Sequence, residues 1–492
     1  MSRSSLRFSF LLFCFGLLLP NYLDLVAQDA PNRPNVLMIA IDDLNDWIEP
    51  LGGHPQTKTP NLNRLAKMGT CFSNAHCQAP ICNPSRISLL IGKLPSSTGI
   101  YYLGPRLRQC ETTKTAITLP QHFQRHGYKT LAAGKIFHGG GKGEFETYAG
   151  SFGGFGPRPR KPINGGQTHP LWDWGEFPRS TEQMPDKKIA DWTIKQLGEK
   201  HEQPFFLACG FYRPHVPLFV PPKWFKPFPL EKVKLPPSLE TDFKDIPSYA
   251  NDLSWSAVAP RHQWMVDNQQ WTRATQAYLA SIHFVDAQVG RILDALEASP
   301  HRDNTLIVLW SDHGFHVGSK ERWGKRSLWE DSTRVVMMMA GKGIKPGQTC
   351  GQPVGLIDIY PTLIDLCGLR QRTGLEGHSL RPLLEHANAS WDWPAITTFG
   401  KNNHSVRGKQ FRYTIYADGS EELYNLFEDR EEFSNLAGDP NFNPVKRRLQ
   451  SYLPQINHEM AEGSHNADAR PGSAAEIPAD RARRMKKSRE KK

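Results

Sequence analysis

Three short runs of apolar residues predict buried β-strands. They cover Asn35–Ile41, Phe205–Gly210 and Thr305–Trp310, and each run is continuously apolar rather than alternating. A strand that is apolar on both faces is typical of a parallel sheet with helices on both sides. The stretch from Thr272 to Ala298 instead places apolar residues at helical spacing, which predicts a long amphipathic helix. Strands that alternate with helices favour an α/β fold.

The remaining segments predict loops, a hairpin and a tail. Residues 139–260 are rich in Gly, Pro and Trp, which favours long surface loops that shape a cleft. Phe411–Tyr416 and Glu422–Leu426 flank the turn-forming sequence Ala-Asp-Gly-Ser, and this pattern predicts a β-hairpin in a small C-terminal subdomain. After about residue 465 the chain is polar and charged, which predicts a disordered tail.

The first 27 residues have the pattern of a secretory signal peptide. Arg3 and Arg7 precede an apolar run from Phe8 to Leu19, which is shorter than the roughly 20 residues of a membrane-spanning helix. Cleavage after Ala27 would release a protein into a periplasm, the exterior or, in a eukaryote, a lysosome-like lumen. The alternative is an uncleaved anchor. No later segment is apolar enough to span a bilayer, so stable membrane insertion is not expected.

The charge of the chain is concentrated at its C-terminal end. The net charge of +11 would suit binding to an acidic polymer. From Arg470 to Lys492, however, nine Lys and Arg against three Asp and Glu give +6, and the signal segment adds +1, which leaves +4 for the body. The alternative of nucleic-acid binding therefore rests on the tail alone, and because no nucleic-acid-binding motif accompanies it, no nucleic-acid partner is expected.

Cysteine usage points to one thiol with a function. Removal of the signal peptide leaves seven of the eight cysteines. This density is too low for a disulfide-stapled scaffold, and an odd number in an exported chain suggests a thiol with its own role. The other six are available for pairing.

The segment Cys82–Arg86, with the sequence Cys-Asn-Pro-Ser-Arg, is the most informative motif. Pro84 near its start predicts the first turn of a helix. Asp42 and Asp43 directly follow the first predicted strand, at the kind of strand end where active residues of α/β sheets gather.

These features together resemble the sulfatases of the alkaline-phosphatase-like superfamily, whose signature is Cys-x-Pro-Ser-Arg. The resemblance covers about 34–330 through Gly134–His138, Arg213–His215 and Ser311–Gly314, followed by Lys325, and the sequence Glu-Leu-Tyr-Asn-Leu extends it to about 437. The Lys-x-x-His, Arg-Pro-His-Val-Pro and Asp-His pieces are most similar to the iduronate-2-sulfatase branch.

The resemblance implies an α/β fold with a mixed, mostly parallel sheet sandwiched by helices, and a small C-terminal α+β subdomain. The expected boundaries are 1–27 for the signal peptide, 28–390 for the catalytic domain, 391–465 for the subdomain and 466–492 for a basic disordered tail. The implied activity is that of a sulfuric ester hydrolase that removes sulfate from a sulfated sugar or polysaccharide.

The resemblance also implies two additions to the chain. A maturation enzyme would convert Cys82 to formylglycine (3-oxoalanine), whose hydrated form attacks sulfur with one hydroxyl and expels sulfate with the other. One Ca²⁺ would be bound by Cys82 together with Asp42, Asp43, Asp312 and His313, because a hard cation prefers oxygen ligands and His313 adds a neutral imidazole.

Further roles carried over from the family concern positive and proton-transferring groups. Arg86 would hold the oxygen of the nucleophile and balance the charge of the metal site. Lys135 would contact sulfate, and His138 would take the proton from the second hydroxyl. His215 and Lys325 would bind sulfate and protonate the leaving oxygen, and the sequence leaves open which of the two is the acid.

The chain departs from the family pattern at two places. Ile91-Gly92-Lys93 stands where many sulfatases have Thr-Gly-Arg, in the segment that guides maturation, and Lys320 stands where His is common, which would alter the substrate rim. Trp323 and Arg326 flank Lys325 and are expected to meet a sugar ring or a uronate carboxylate. Two alternatives remain: a phosphonate or phosphate ester hydrolase of the same superfamily, and a non-catalytic glycan-binding relative.

Overall fold

The computed structural model describes residues 33–166, 168–466, 469–476, 481, 484 and 485. The predicted signal peptide lies outside these ranges. From Pro34 onward the chain forms one compact unit.

The strands include those that the sequence predicts and further short ones that it does not. Within the described residues they are β1 (Asn35–Ile41), β2 (Gly69–Phe72), β3 (Ala75–His76), β4 (Lys129–Gly134), β5 (Thr147–Tyr148), β6 (Trp174–Glu176), β7 (Phe205–Phe211), β8 (Leu218–Val220), β9 (Thr305–Ser311), β10 (His316–Val317), β11 (Trp323–Gly324), β12 (Met337–Ala340), β13 (Gln348–Cys350), β14 (Val354–Gly355), β15 (Ala395–Thr398), β16 (His404–Arg407), β17 (Phe411–Ile415) and β18 (Glu421–Asn425). The three continuous apolar runs correspond to β1, β7 and β9.

The helices include both of those that the sequence predicts. In chain order they are α1 (Pro60–Met68), α2 (Cys82–Ile91), α3 (Pro95–Thr98), α4 (Leu119–Arg125), α5 (Pro185–Gly198), α6 (Ser248–Leu253), α7 (His262–Asp267), α8 (Gln270–Glu297), α9 (Glu330–Thr333), α10 (Ile359–Leu366), α11 (Arg381–Glu385) and α12 (Asn443–Gln450). The described ranges contain no helix with the length and apolar character needed to cross a membrane.

The central sheet is mixed and mostly parallel. Its eight described strands lie in the order β13-β2-β12-β9-β1-β7-β4-β5. Strands β9, β1, β7, β4 and β5 are mutually parallel, whereas β12 runs antiparallel to both of its neighbours, β9 and β2. This topology confirms the predicted fold class.

Burial of both faces explains the continuous apolar character of β1. All of its residues are buried. Leu37 and Ile39 face a core that also contains apolar side chains of α1, α5 and α8. Val36 and Met38 face the opposite core, with side chains of α2, α4 and α10. Successive residues of a strand point to opposite faces, so two helical layers require two apolar sets.

A second sheet carries the C-terminal part of the chain. Strands β15-β16-β17-β18 are antiparallel, and β17 and β18 form the predicted hairpin. Leu449 of α12 packs against Tyr413 and Leu423 of this sheet. The fully buried Arg412 forms ion pairs with Glu330 and Glu432 and so connects the sheet to α9.

The structure adds detail on the cysteines and on the start of the predicted tail. The described cysteines are all buried and form no disulfide with one another, so the six that the sequence leaves available are not paired in this way. Two described residues of the predicted tail form polar contacts with the body. Asn466 accepts a hydrogen bond from Arg326, and Arg470 forms an ion pair with Asp252.

Candidate active site

The predicted site residues converge at the carboxyl ends of the central parallel strands. Asp42 and Asp43 follow β1, Asp312 and His313 follow the adjacent β9, and Lys135 follows β4. Cys82 begins α2 and points toward the same edge. Two overlapping groups have ligand atoms within 4.8 Å of one another: Asp42, Cys82, Asp312 and His313, and Asp42, Asp43, Cys82 and His215.

The guanidinium of Arg86 links two of the acidic side chains. Its Nη2 donates to Asp42 Oδ1 at 3.0 Å and its Nε donates to Asp312 Oδ2 at 2.8 Å. Its Nη1 donates to the carbonyl oxygens of Lys135 and Ile136. Arg86 is fully buried. Because it lies one turn after Cys82, this network fixes the start of α2 against the strand ends.

The two adjacent aspartates have opposite electrostatic environments. Burial alone would raise the pKa of Asp42, but Lys135, which donates to its Oδ2, and other nearby cations hold that pKa well below its ordinary value. Burial raises the pKa of Asp43 to about 7, although Lys325 opposes the rise. Lys325 Nζ donates to Asp43 Oδ1 at 2.6 Å, whereas the buried Asp43 Oδ2 has no hydrogen-bond partner among the described residues.

His313 presents an unprotonated ring nitrogen to this cluster. Its Nδ1 lies 2.9 Å from the carbonyl oxygen of Gly314, which can only accept, so Nδ1 carries the proton. Its Nε2 lies 3.2 Å from Cys82 Sγ and 3.4 Å from Asp43 Oδ1. Burial lowers the pKa of His313 and favours the neutral ring.

These donors fit a divalent cation. The set combines carboxylate oxygens with a neutral imidazole. Asp43 Oδ2 has no hydrogen-bond partner among the described residues and the pKa of Asp43 is raised, which indicates that a nearby positive charge would stabilise this carboxylate. Asp42, Asp43, Asp312 and His313 would hold the ion.

Contacts on both sides fix Cys82 at the start of α2. Its Sγ lies 3.3 Å from Lys325 Nζ, and burial raises the pKa of the thiol. The next residue, Asn83, donates to the carbonyl oxygens of Tyr102 and Pro105 at 3.0 and 2.9 Å. Position 82 is therefore set rigidly at a helix N-terminus, where the helix dipole favours negative charge.

A cavity of about 330 Å³ opens onto Cys82. Its polar lining includes His138 and His215, both with pKa values lowered by burial, that of His138 to about 3. His215 Nδ1 donates to the carbonyl oxygen of Val216 at 2.6 Å, and its Nε2 lies 3.8 Å from Asp43 Oδ2. The apolar lining consists of Leu103, Phe155, Leu171, Trp172, Val216, Val258, Phe315 and Trp323.

Of the three residues expected at the rim of the substrate site, the structure places two in the cavity wall and one elsewhere. Trp323 and Arg326 line the cavity, and the prediction that they meet a sugar ring or a uronate carboxylate stays a prediction. Lys320 does not line the cavity, and the prediction that it alters the rim is wrong. Its ammonium is buried and donates to Asp242 Oδ1 at 2.8 Å and to the carbonyl oxygen of Glu432 at 2.6 Å. The left-handed conformation at Lys320 places it in a tight turn, and its side chain pairs with these acceptors outside the cavity.

Tyr278, on the long helix α8, holds the turn that carries Asp43. Its hydroxyl donates to the carbonyl oxygen of Asp43 at 2.8 Å and accepts from the backbone N–H of Asn45 at 3.0 Å. Its ring stacks on Phe315, which lines the cavity. Asp43 has a positive φ of 61°, and Tyr278 secures this unusual turn. The spacing of apolar residues in α8 predicts a helix but does not predict these contacts of Tyr278.

The sequence and structure are similar to those of known sulfatases. The family model described as Sulfatase matches residues 34–369, and that described as N-sulphoglucosamine sulphohydrolase, C-terminal, matches residues 318–459. A sulfatase of Formosa agariphila is 41% identical, with 87% of this chain and 88% of that protein covered. The iduronate 2-sulfatase of Mus musculus is 30% identical, with 84% and 91% covered.

A solved structure shares the fold. It is a protein in complex with its substrate D-glucosamine-2-N,6-O-disulfate, and it superposes with a TM-score of 0.69 at 22% identity, covering 86% of this chain and 97% of that one. With the family match over most of the chain and the converging site residues, the chain belongs to the sulfatase family and is a sulfuric ester hydrolase.

Proposed function

We propose that this protein removes sulfate from a sulfated sugar or polysaccharide, in the manner of an iduronate-2-sulfatase, with formylglycine at position 82 and Ca²⁺ in the acidic cluster. The position of Cys82 carries this proposal. Its sulfur lies between Lys325 Nζ and His313 Nε2, at a helix N-terminus and at the inner end of the cavity. A nucleophile here reaches the cavity and the metal donors at once.

The charges around position 82 suit a sulfate ester. Sulfate oxygens repel an anionic nucleophile, and a bound Ca²⁺ would withdraw charge from them. Asp42, Asp43, Asp312 and His313 would hold the ion, while a hydrated formylglycine would supply an oxygen nucleophile where the sulfur of Cys82 lies. Arg86 keeps two of these carboxylates in place through its buried hydrogen bonds.

Lys325 is the proposed proton donor to the leaving alcohol. Burial would lower its pKa, but Asp43 and neighbouring negative groups raise it above its ordinary value, so the ammonium keeps its proton beside position 82. His215 holds its ring proton on Nδ1, in the bond to the Val216 carbonyl oxygen, and its lowered pKa leaves Nε2 without a proton. His215 would therefore offer the cavity a hydrogen-bond acceptor rather than a proton, and Lys325 would protonate the oxygen released when the sulfur–oxygen bond breaks.

His138 is the proposed acceptor of the proton lost in the second half of the reaction. It lines the cavity, and burial lowers its pKa to about 3, which keeps the ring neutral near pH 7. A neutral imidazole is able to accept a proton from a hydroxyl at position 82, which lets the carbon–oxygen bond to sulfate break. The ammonium of Lys135 donates a hydrogen bond to Asp42 and lies over the ring of Phe155, which is part of the cavity wall. From this position Lys135 would face the sulfate.

The proposed substrate is a sulfated sugar. The relatives named as iduronate 2-sulfatase and the structure solved with a sulfated glucosamine support this class. Aromatic side chains in the cavity wall, among them Trp172 and Trp323, offer flat faces for sugar rings. We also propose export of the protein through its N-terminal segment, followed by conversion of Cys82 by a maturation enzyme.

Two measurements test this proposal. Mass spectrometry of the peptide 77–93 from the expressed protein should show the mass loss for conversion of a CH₂–SH group to an aldehyde. The protein should then hydrolyse an aryl sulfate faster than the matched phosphate monoester and phosphodiester. Cys82→Ala should abolish this activity. If the protein without substitutions cleaves either phosphoester faster than the aryl sulfate, the assignment is overturned in favour of a phosphonate or phosphate ester hydrolase.

A further inference from the structure

Arg326 occupies a defined place beside the reacting centre. It lines the cavity next to Lys325 and is 8% exposed. Its backbone N–H donates to the carbonyl oxygen of Pro80 at 3.1 Å, two residues before Cys82. Its φ of 87° is in the left-handed region, which is unusual for a residue with a long side chain. This strained turn sends the side chains of residues 325 and 326 to the same cavity.

A segment near the C-terminus holds the guanidinium of Arg326. Asn466 Oδ1 accepts a hydrogen bond from its Nη1 at 2.9 Å. The N-terminal side of this segment is anchored along α3 and the residue that follows it, since the backbone N–H groups of His458 and Ala461 donate to the carbonyl oxygens of Ser96 and Gly99. A short stretch of chain leads from there to Leu103, another residue of the cavity wall.

The same segment is anchored on its C-terminal side to another wall of the cavity. Arg470 forms a 2.8 Å ion pair with Asp252 and lies over the ring of Trp255, adjacent to the cavity-lining Ser256. The family match of the C-terminal domain ends at residue 459, before Asn466 and Arg470. Residues 458–466, 469 and 470, which we call the C-terminal strap, thus contact three parts of the cavity wall.

We propose that Arg326 determines substrate specificity by binding a second anionic group of the sugar, and that Asn466 of the C-terminal strap is its positioning residue. This inference rests on the proposed function. A guanidinium has the planar geometry that matches a carboxylate or a sulfate with two hydrogen bonds. The adjacent position in the chain places Arg326 beside Lys325, so the second anionic group would lie close to the sulfate being removed. A uronate carboxylate and a second sulfate share this chemistry.

The test uses substrates that differ in one charge. Sulfated disaccharides with a uronate carboxylate, with its uncharged methyl ester, and with a second sulfate on a neutral sugar are compared by kcat and KM, with an aryl sulfate as a further substrate. In the unaltered protein the preferred charged disaccharide identifies the anionic group. In Arg326→Gln we expect kcat/KM for that substrate to fall about 10- to 100-fold, mainly through KM, and the preference over the uncharged analogue to disappear.

Graded variants separate binding from folding. Arg326→Lys should restore part of the preference, because it restores the charge without the planar pair of donors. Asn466→Ala should raise KM for the charged substrate about 3- to 10-fold with kcat kept, and Asn466→Gln should recover part of this loss, because its side-chain carbonyl is again a neutral acceptor for the guanidinium. Arg302→Gln, an exposed arginine on another loop, serves as the matched control.

The outcomes distinguish this inference from the proposed function. If Arg326→Gln keeps the unaltered preference, or slows the charged and uncharged substrates equally, Arg326 has no specificity role and the inference is overturned. If the unaltered protein hydrolyses the aryl sulfate but shows no preference between charged and uncharged disaccharides, the inference also fails while the proposed function stands. In this test, the absence of sulfate release from every substrate would count against the proposed function itself.

Discussion

The ammonium of Lys325 lies 3.3 Å from the sulfur of Cys82. The same nitrogen donates to Asp43 Oδ1, so one cation contacts both the nucleophile position and the acidic cluster. This contact joins the start of α2 to a residue more than 240 positions further along the chain. It sets a proton donor beside the position of the proposed nucleophile.

Replacement of Lys325 tests its role as the acid. We expect Lys325→Gln to lower kcat about 10²- to 10⁴-fold for an alkyl sulfate, because an alkoxide is a poor leaving group and must be protonated as it departs. With 4-nitrophenyl sulfate, whose leaving group is far more acidic, the loss should be much smaller. The measurement is kcat for both substrates in Lys325→Gln and in His215→Gln. A leaving-group dependence that appears in the His215 variant instead would assign the acid to His215.

Arg86 is expected to contribute mainly to stability and site geometry. Arg86→Met would leave Asp42 and Asp312 buried without their shared cation. Breaking a buried ion pair in this way costs about 3–5 kcal/mol, which should appear as a lower free energy of unfolding in urea. The exposed Arg302→Met provides the control and should change it by less than about 0.5 kcal/mol. A loss below about 1 kcal/mol in Arg86→Met would show that the buried network is not stabilising.

Much of the site could be predicted because parallel strands end at a common edge. Asp42 and Asp312 follow two apolar runs that pair in the sheet, so their proximity follows from the strand pattern and the sheet topology. The bond between Arg326 and Asn466 had no such signal, since it joins residues 140 positions apart through an irregular segment. The buried hydrogen bonds of Lys320 could not be predicted either, because the sequence shows a lysine, which is usually exposed, but not the acceptors that the fold brings to it.

The absence of disulfides among the described cysteines predicts a thiol count. If the N-terminal segment is removed as proposed, the chain has seven cysteines, and the described ones form no disulfide with one another. In denaturant, thiol titration should give seven per chain before maturation and six when Cys82 is fully converted. Treatment with a reductant beforehand should leave either count unchanged. Extra thiols after reduction would reveal a disulfide and contradict the structure.

Glu422 should make stability depend on pH. Its carboxyl is fully buried, and burial raises its pKa to about 7, against hydrogen bonds from Tyr416 and Trp329. Between the unfolded pKa near 4.5 and about 7, the folded state binds more protons than the unfolded state. The stabilisation is therefore complete below pH 4.5 and is lost as pH rises through about 7, by about 2–3 kcal/mol between pH 5 and 8.

Urea unfolding of Glu422→Gln at pH 5 and pH 8 measures this contribution. The amide stays neutral, so the variant should gain about 2–3 kcal/mol relative to the unaltered protein as pH rises over this range. Its neighbour Glu421 is partly exposed, and Lys446 and Tyr413 hold its pKa below the ordinary value against the effect of burial. Glu421→Gln should therefore show no such gain, because Glu421 is ionised in both states over this range. An equal pH response of both variants would exclude Glu422 as the source.

Removal of a bound divalent cation should lower thermal stability. A ligand at about 100 times its Kd stabilises the folded state by about 2.7 kcal/mol, so a chelator should lower Tm by several degrees and added Ca²⁺ should restore it. Asp43→Asn should lose this response, because it removes a carboxylate whose Oδ2 has no hydrogen-bond partner among the described residues. Asp331→Asn offers a matched control, since burial raises the pKa of Asp331 to about 7 as well but its carboxylate belongs to neither cluster of potential ligands. If Asp43→Asn responds to Ca²⁺ as strongly as Asp331→Asn, the cation is held elsewhere and the acidic cluster is not its site.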